Sequence, residues 1–179
     1  MSKIYLDYAA ATPMRPEVLK AMEPYFRQLF QNPSATYLSG RQAKSELNEK
    51  RSGVAKVVGA RPPEIIFTAG ATEANNLAIQ GVMRLHPEAE ALVSAIEHES
   101  VLAPASLFKS KLIPVDEKGN IILNKLSNLI SDKTVLISAM LVNNELGTIQ
   151  PLSDITALVK TNLQKMRENF NKQPLYLHT

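Results

Sequence analysis

The sequence predicts an α/β fold: an open, mostly parallel sheet with helices on both faces. Three observations predict it. From residue 64 onward, short apolar strand candidates alternate with amphipathic helical stretches, the rhythm of a parallel sheet built from crossover units. Each strand candidate is bounded by polar residues, glycine or proline. No internal repeat, low-complexity tract or charge block interrupts the pattern, and the 11 prolines are scattered and form no linker.

The elements follow in order. Residues 1–15 read as an extended arm, with Ile4-Tyr5-Leu6, then Asp7-Tyr8 and the small run Ala9-Ala10-Ala11-Thr12-Pro13. Pro16 suits the first turn of a helix that carries Val18, Leu19, Met22 and Tyr25 at helical spacing, and Pro24 is expected to kink or end it. After a polar loop at Asn32-Pro33-Ser34, Ala43, Leu47, Val54, Val57 and Val58 predict a second helix from about Gly40, closed by Gly59 as its C-terminal cap. Strands are expected at 64–68, 91–95, 111–115, 134–140 and 175–178, and helices at 73–85, about 100–108, 123–130 and 153–169. No internal boundary is expected in residues 16–179, which read as one large domain. Sheets of this type place ligands at the carboxyl ends of their strands.

Composition narrows the function. The 179 residues are 45% hydrophobic and 21% charged, as in ordinary soluble globular proteins. A formal charge of +3 and a pI of 9.1 reflect a small surplus of bases without a basic stripe, so nucleic acid is not an expected partner. No run of about 18 apolar residues suggests a membrane span, and the first residues lack the apolar core of a signal peptide, so the expected location is cytoplasmic. With no cysteine in these residues there is no disulfide, thiolate zinc site or thiol nucleophile among them.

Three polar segments each follow a strand candidate. In Phe67-Thr68-Ala69-Gly70-Ala71-Thr72-Glu73-Ala74-Asn75-Asn76 a strand runs through small residues into a helix. Small residues let backbone N–H groups approach an anion, and the helix N-terminus adds its partial positive charge, so this segment is a candidate phosphate cradle to which Thr72 would add a hydroxyl donor. The alternative is a tight turn with Thr72 as helix cap and Glu73 in the favoured first turn. No Gly-Lys-Ser/Thr follows, so this is not a P-loop. In Ser94-Ala95-Ile96-Glu97-His98-Glu99-Ser100, His98 is a candidate for stacking on an aromatic ligand or for proton transfer, against a solvated or helix-capping histidine. A metal is not expected, because adjacent residues on a turn seldom converge and neither His86 nor His178 stands at ligand spacing from His98. Met140-Leu141-Val142-Asn143-Asn144-Glu145-Leu146-Gly147-Thr148 suits a turn whose side chains contact a ligand, or an Asx-turn with none. Three such segments on one rim favour a single site.

Taken together and in this order, Tyr5–Pro13, Asn32-Pro33-Ser34, Thr68–Ile79, Glu97-His98 and Val142–Gly147 resemble the amino-terminal part of a cysteine desulfurase. The resemblance is to the branch of nitrogen-fixation and iron–sulfur-cluster enzymes, within the class V, fold-type I enzymes that use pyridoxal phosphate. It implies an incomplete large domain of that aspartate-aminotransferase-like fold. It further implies that Ala71 and Thr72 contact the cofactor phosphate, that His98 stacks on the pyridine ring and helps to move protons, and that Asn144 bonds the phenolic oxygen, with Asn143 and Glu145 in support. In such enzymes the cofactor is an electron sink, and a separate enzyme thiolate takes sulfur from L-cysteine, leaving a persulfide and alanine.

The resemblance also implies that the aspartate paired with the pyridine nitrogen, the next glutamine contact, the cofactor-linking lysine, the catalytic cysteine and the small domain belong after Thr179. Tyr37 stands where relatives usually carry histidine. The chain alone is therefore expected to be inactive, and an unpaired sheet edge and uncovered apolar helix faces are expected to favour aggregation or a partner. That partner would be a second copy, a complementary carboxyl-terminal chain or a sulfur-acceptor protein. The other readings are a class V aminotransferase or selenocysteine lyase fragment, and a non-catalytic half-domain that pairs with another chain.

Overall fold

A four-stranded, all-parallel sheet organises the second part of the chain, as a computed structural model describing residues 4–169 and 172–179 shows. The chain forms two compact units, Met1–Phe67 and Thr68–Thr179.

In the first unit, α1 spans Pro16–Arg27 and α2 spans Leu38–Val58. Pro16 opens α1 as expected, but Pro24 lies inside the helix and does not end it. Proline at this position removes one backbone bond, and on a helix with no buried residue the freed carbonyl stays hydrated. Gly59 caps α2 in the left-handed conformation, at φ 69°. Gly40 is required for space: a Cβ there would lie 2.7 Å from the Ala35 carbonyl oxygen. The arm is less extended than expected, since Ala10 and Ala11 N–H groups turn back to the Asp7 carbonyl.

The segment 64–68 is not a strand. Pro62–Glu64 form a short 3₁₀ turn, and the residues after it are extended but unpaired with the described strands. Arg51 of α2 takes this stretch instead: its Nε donates to the Ile65 carbonyl at 3.4 Å, and its guanidinium stacks 5.2 Å from the Phe67 ring centre. β propensity alone supplied the expectation, and a strand also needs a neighbour.

In the second unit, α3 (Ala71–Leu85), β1 (Glu90–Ser94), α4 (Glu99–Ser106), β2 (Ser110–Ile113), α5 (Leu123–Leu129), β3 (Thr134–Ser138), α6 (Leu152–Glu168) and β4 (Tyr176–His178) alternate as expected. The spatial order is β2-β1-β3-β4, with Val93 opposite Ser138 and Ser138 opposite His178. Alternation along β1 divides the core. Ala91 and Val93 pack with Ile79 and Met83 of α3 and Val101 and Ala105 of α4, while Leu92 packs with Leu126 of α5 and Ile155 and Val159 of α6. Helices therefore cover both faces, as the sequence predicts.

Strand ends move by a few residues. β3 stops at Ser138 because the Met140 N–H is taken by a side chain, Glu97. β2 starts at Ser110 and stops at Ile113, and Val115 instead bridges Ile121 across the turn that holds Gly119 at φ 81°. No helix among the described residues is long and apolar enough to cross a membrane.

Candidate functional site

Strand order places the site. From β1 the chain crosses through α4 to β2 on one side, and from β3 it crosses through α6 to β4 on the other. The loops leaving β1 and β3 therefore diverge, opening a crevice at the carboxyl ends of two adjacent strands. His98 lies on the first loop and Asn144 on the second.

The turn before α3 begins at Thr68, whose hydroxyl donates to the Gly70 carbonyl at 3.1 Å. Gly70 is the residue preceding the helix, so Ala71 and Thr72 are its first two positions. Thr72 is thus not the cap; the Glu73 carboxylate closes the turn instead, accepting from the Ala69 N–H at 2.6 Å. At helix starts such as this, backbone N–H groups have no partner inside the helix. A Cβ built on Gly70 would meet nothing within 4 Å, so the space beside the turn is open.

His98 is both exposed and a helix cap. Its Nδ1 accepts from the Ser100 N–H at 3.0 Å and lies 2.8 Å from the Ser100 hydroxyl. Asn75 of α3 donates its side-chain N–H to that hydroxyl at 2.8 Å, tying the start of α4 to α3. The capping alternative is therefore realised through one ring nitrogen, Nδ1, and Nε2 takes no part in it.

The third segment is built on Asn143. This side chain is buried; its Oδ1 accepts from the Glu145 and Leu146 N–H groups at 2.9 and 2.8 Å, and its Nδ2 donates to the Ile96 carbonyl at 2.9 Å. Asn143 makes the Asx-turn and ties the two loops together, while the neighbouring Asn144 is exposed. Gly147, at φ 74°, lets the loop close with its N–H on the Asn143 carbonyl.

Two cavities meet at His98. One, of about 480 Å³, is lined by Thr72, Asn76, His98 and Ser100 together with apolar residues of α4. The other, of about 370 Å³, is lined by Ile96, Glu97, His98, Asn143, Asn144 and Glu145 among others. The structure therefore brings Thr72 and His98 to one cavity and His98 and Asn144 to the next. Ala71 stands beside Thr72 but lines neither.

Sequence reasoning gave no role to the polar residues beneath this rim. Glu97 is buried, and burial raises its carboxyl above the ordinary value, although the Met140 N–H (2.6 Å) and the Ser138 hydroxyl (3.4 Å) donate to it and hold it down. Ser138 also meets His178 Nδ1 at 2.9 Å, and burial lowers the pKa of that imidazole. These contacts join the ends of β1, β3 and β4. Sequence separation hides these contacts: Glu97 is legible only as the neighbour of His98, and nothing local in the sequence links it to Ser138 or His178.

Comparison with known proteins gives the family. The model of the aminotransferase class-V family matches residues 4–166, and the chain belongs to that family. It is 40% identical to a cysteine desulfurase IscS of Dictyoglomus turgidum over 165 residues, covering 88% of this chain and 42% of the relative. The IscS of Rickettsia akari is 43% identical over 160 residues, covering 85% and 39%. Among solved structures, a NifS-like protein superimposes with a TM-score of 0.89 at 33% identity, covering 99% of this chain and 48% of that one. A structure described as SspA in complex with cysteine gives 0.82 at 37% identity, covering 88% and 48%. The chain thus spans less than half the length of these relatives.

Proposed function

We propose that this chain supplies the phosphate-binding and ring-binding part of the large domain of a pyridoxal-phosphate-dependent cysteine desulfurase. The observation that carries the reading is the position of His98 between a cavity shared with Thr72 and one shared with Asn144. The residues present fit the cofactor. Ala71 and Thr72 offer helix-start N–H groups and a hydroxyl to its phosphate, beside a turn with open space. His98 offers an exposed flat ring for stacking, and Asn144 an exposed amide for the phenolic oxygen. When bound, the cofactor supplies an electron sink for bond cleavage at the amino-acid substrate.

In this reading L-cysteine is the substrate, and its sulfur passes through an enzyme thiolate to an acceptor protein, for iron–sulfur or thio-cofactor assembly in the cytoplasm. The 179 residues contain no cysteine, so they cannot by themselves carry the persulfide. The cofactor-linking lysine and the thiol lie outside these 179 residues, and polypeptide that carries both completes the enzyme.

Two results test this. The purified chain given pyridoxal phosphate and L-cysteine should form no alanine or sulfide above a cofactor-only control; product above it would contradict the reading. Pyridoxal phosphate should bind, and Thr72→Val should weaken it roughly tenfold or more, the worth of a charged hydrogen bond. Equal binding by Thr72→Val and the parent chain would remove Thr72 from the site.

A further inference from the structure

We propose that Asn75 and Ser100 are positioning residues that hold His98 in the tautomer with its proton on Nε2, so that the crevice receives an N–H donor from this ring. The backbone sets the direction. The Ser100 N–H points at Nδ1 from 3.0 Å, and a backbone amide can only donate, so Nδ1 is an acceptor and its lone pair is used. The Ser100 hydroxyl lies 2.8 Å from the same nitrogen. Because Nδ1 carries no proton, the hydroxyl is the donor in that contact, and the Asn75 side-chain N–H, donating into Ser100 Oγ at 2.8 Å, favours the same sense by occupying an acceptor site of that oxygen. Both donors converge on one ring nitrogen, and in a neutral imidazole the remaining proton must then sit on Nε2.

The arrangement is anchored on both sides. Ser100 is buried at the start of α4, and Asn75 is half-buried on α3, so neither side chain is free to swing. His98 is exposed and lines both cavities, and Nε2 is the ring nitrogen that the cap does not use. A ligand held there meets a hydrogen-bond donor, and the lone pair that a base at Nε2 needs is absent until Nδ1 gives up its two donors. That consequence for substrate chemistry rests on the cofactor reading above; the tautomer itself does not.

The test is a long-range ¹H–¹⁵N correlation spectrum of the imidazole rings in the 179-residue chain, recorded at a pH where the rings are neutral. There are three histidines, and His98→Gln identifies the signal. The expected result is a pyrrole-type Nε2 and a pyridine-type Nδ1 for His98. Ser100→Ala should move the Nδ1 resonance downfield, Asn75→Ala should move it the same way by less, and Ser100→Thr should restore it. Amide spectra show which variants keep the fold, and Asn75→Ala and Ser100→Thr decide the matter if Ser100→Ala does not fold. A pyridine-type Nε2 in the parent chain, or an Nδ1 resonance unmoved in the folded variants, would overturn the proposal. Should the tautomer be as stated while pyridoxal phosphate fails to bind, the cofactor reading alone falls.

Discussion

Glu97 costs the fold something when ionised. Burial raises its carboxyl, so between the ordinary carboxylate value and the raised one the folded state holds the proton more tightly than the unfolded chain does. Stability from this group therefore falls as pH rises through that window. His178 acts with the opposite sign: its lowered value gives stability that is complete above the ordinary imidazole range and is lost as pH falls through the lowered one. Glu97→Gln keeps a carbonyl acceptor for the Met140 N–H and removes the charge. Denaturant midpoints measured from about pH 4 to about pH 7 should show it at least as stable as the parent at neutral pH, with a margin over the parent that grows as pH rises. A loss above roughly 1 kcal/mol at neutral pH would mean that the ionised carboxylate is needed. Asn143→Ala leaves the Glu145 and Leu146 N–H groups and the Ile96 carbonyl without partners, and should cost roughly 1–3 kcal/mol with faster amide exchange at residues 145 and 146. Unchanged exchange there would refute its role in shaping the loop.

At the scale of elements, one glycine sets where α2 can start. Gly40→Ala would press a Cβ against Ala35 at 2.7–2.8 Å, and the cost should be about 1–3 kcal/mol in thermal or denaturant unfolding of helical signal. No change would show that the turn before α2 relaxes freely. Elements also mark how far the sequence could be read. The helices α3 to α6 and the strands β1 to β4 follow from apolar periodicity and punctuation, and Gly59 from the cap it forms. The segment 64–68 failed because its β-rich composition says nothing of a neighbour, and Arg51, many residues earlier, holds it instead. His98 and Asn144 were legible because each follows a strand. Asn75, Ser100, Glu97 and Ser138 act through partners brought close only by the fold.

For the whole molecule, burial is uneven. Among the described residues, the buried apolar ones lie in the second unit except for Ala55, while Phe26, Phe30, Leu38, Val57 and Val58 of the first unit are exposed. Native-state hydrogen exchange should therefore find the strongest protection in β1 and β3 and much weaker protection in α1 and α2. Equal protection in the two units would show that the exposed helix faces are covered in solution by a second copy or another chain. Exposed apolar area of this kind favours such association, so exchange should be followed across protein concentration.

The central claim is that three separated segments grip one phosphorylated aromatic ring, and a ¹H–¹⁵N titration of the 179-residue chain with pyridoxal phosphate tests it most directly. The amides of Ala71, Thr72, His98 and Asn144 should shift together along one saturable curve, with the β2 edge unmoved. Shifts that leave any of the three segments untouched, or that saturate at different concentrations in different segments, would contradict it.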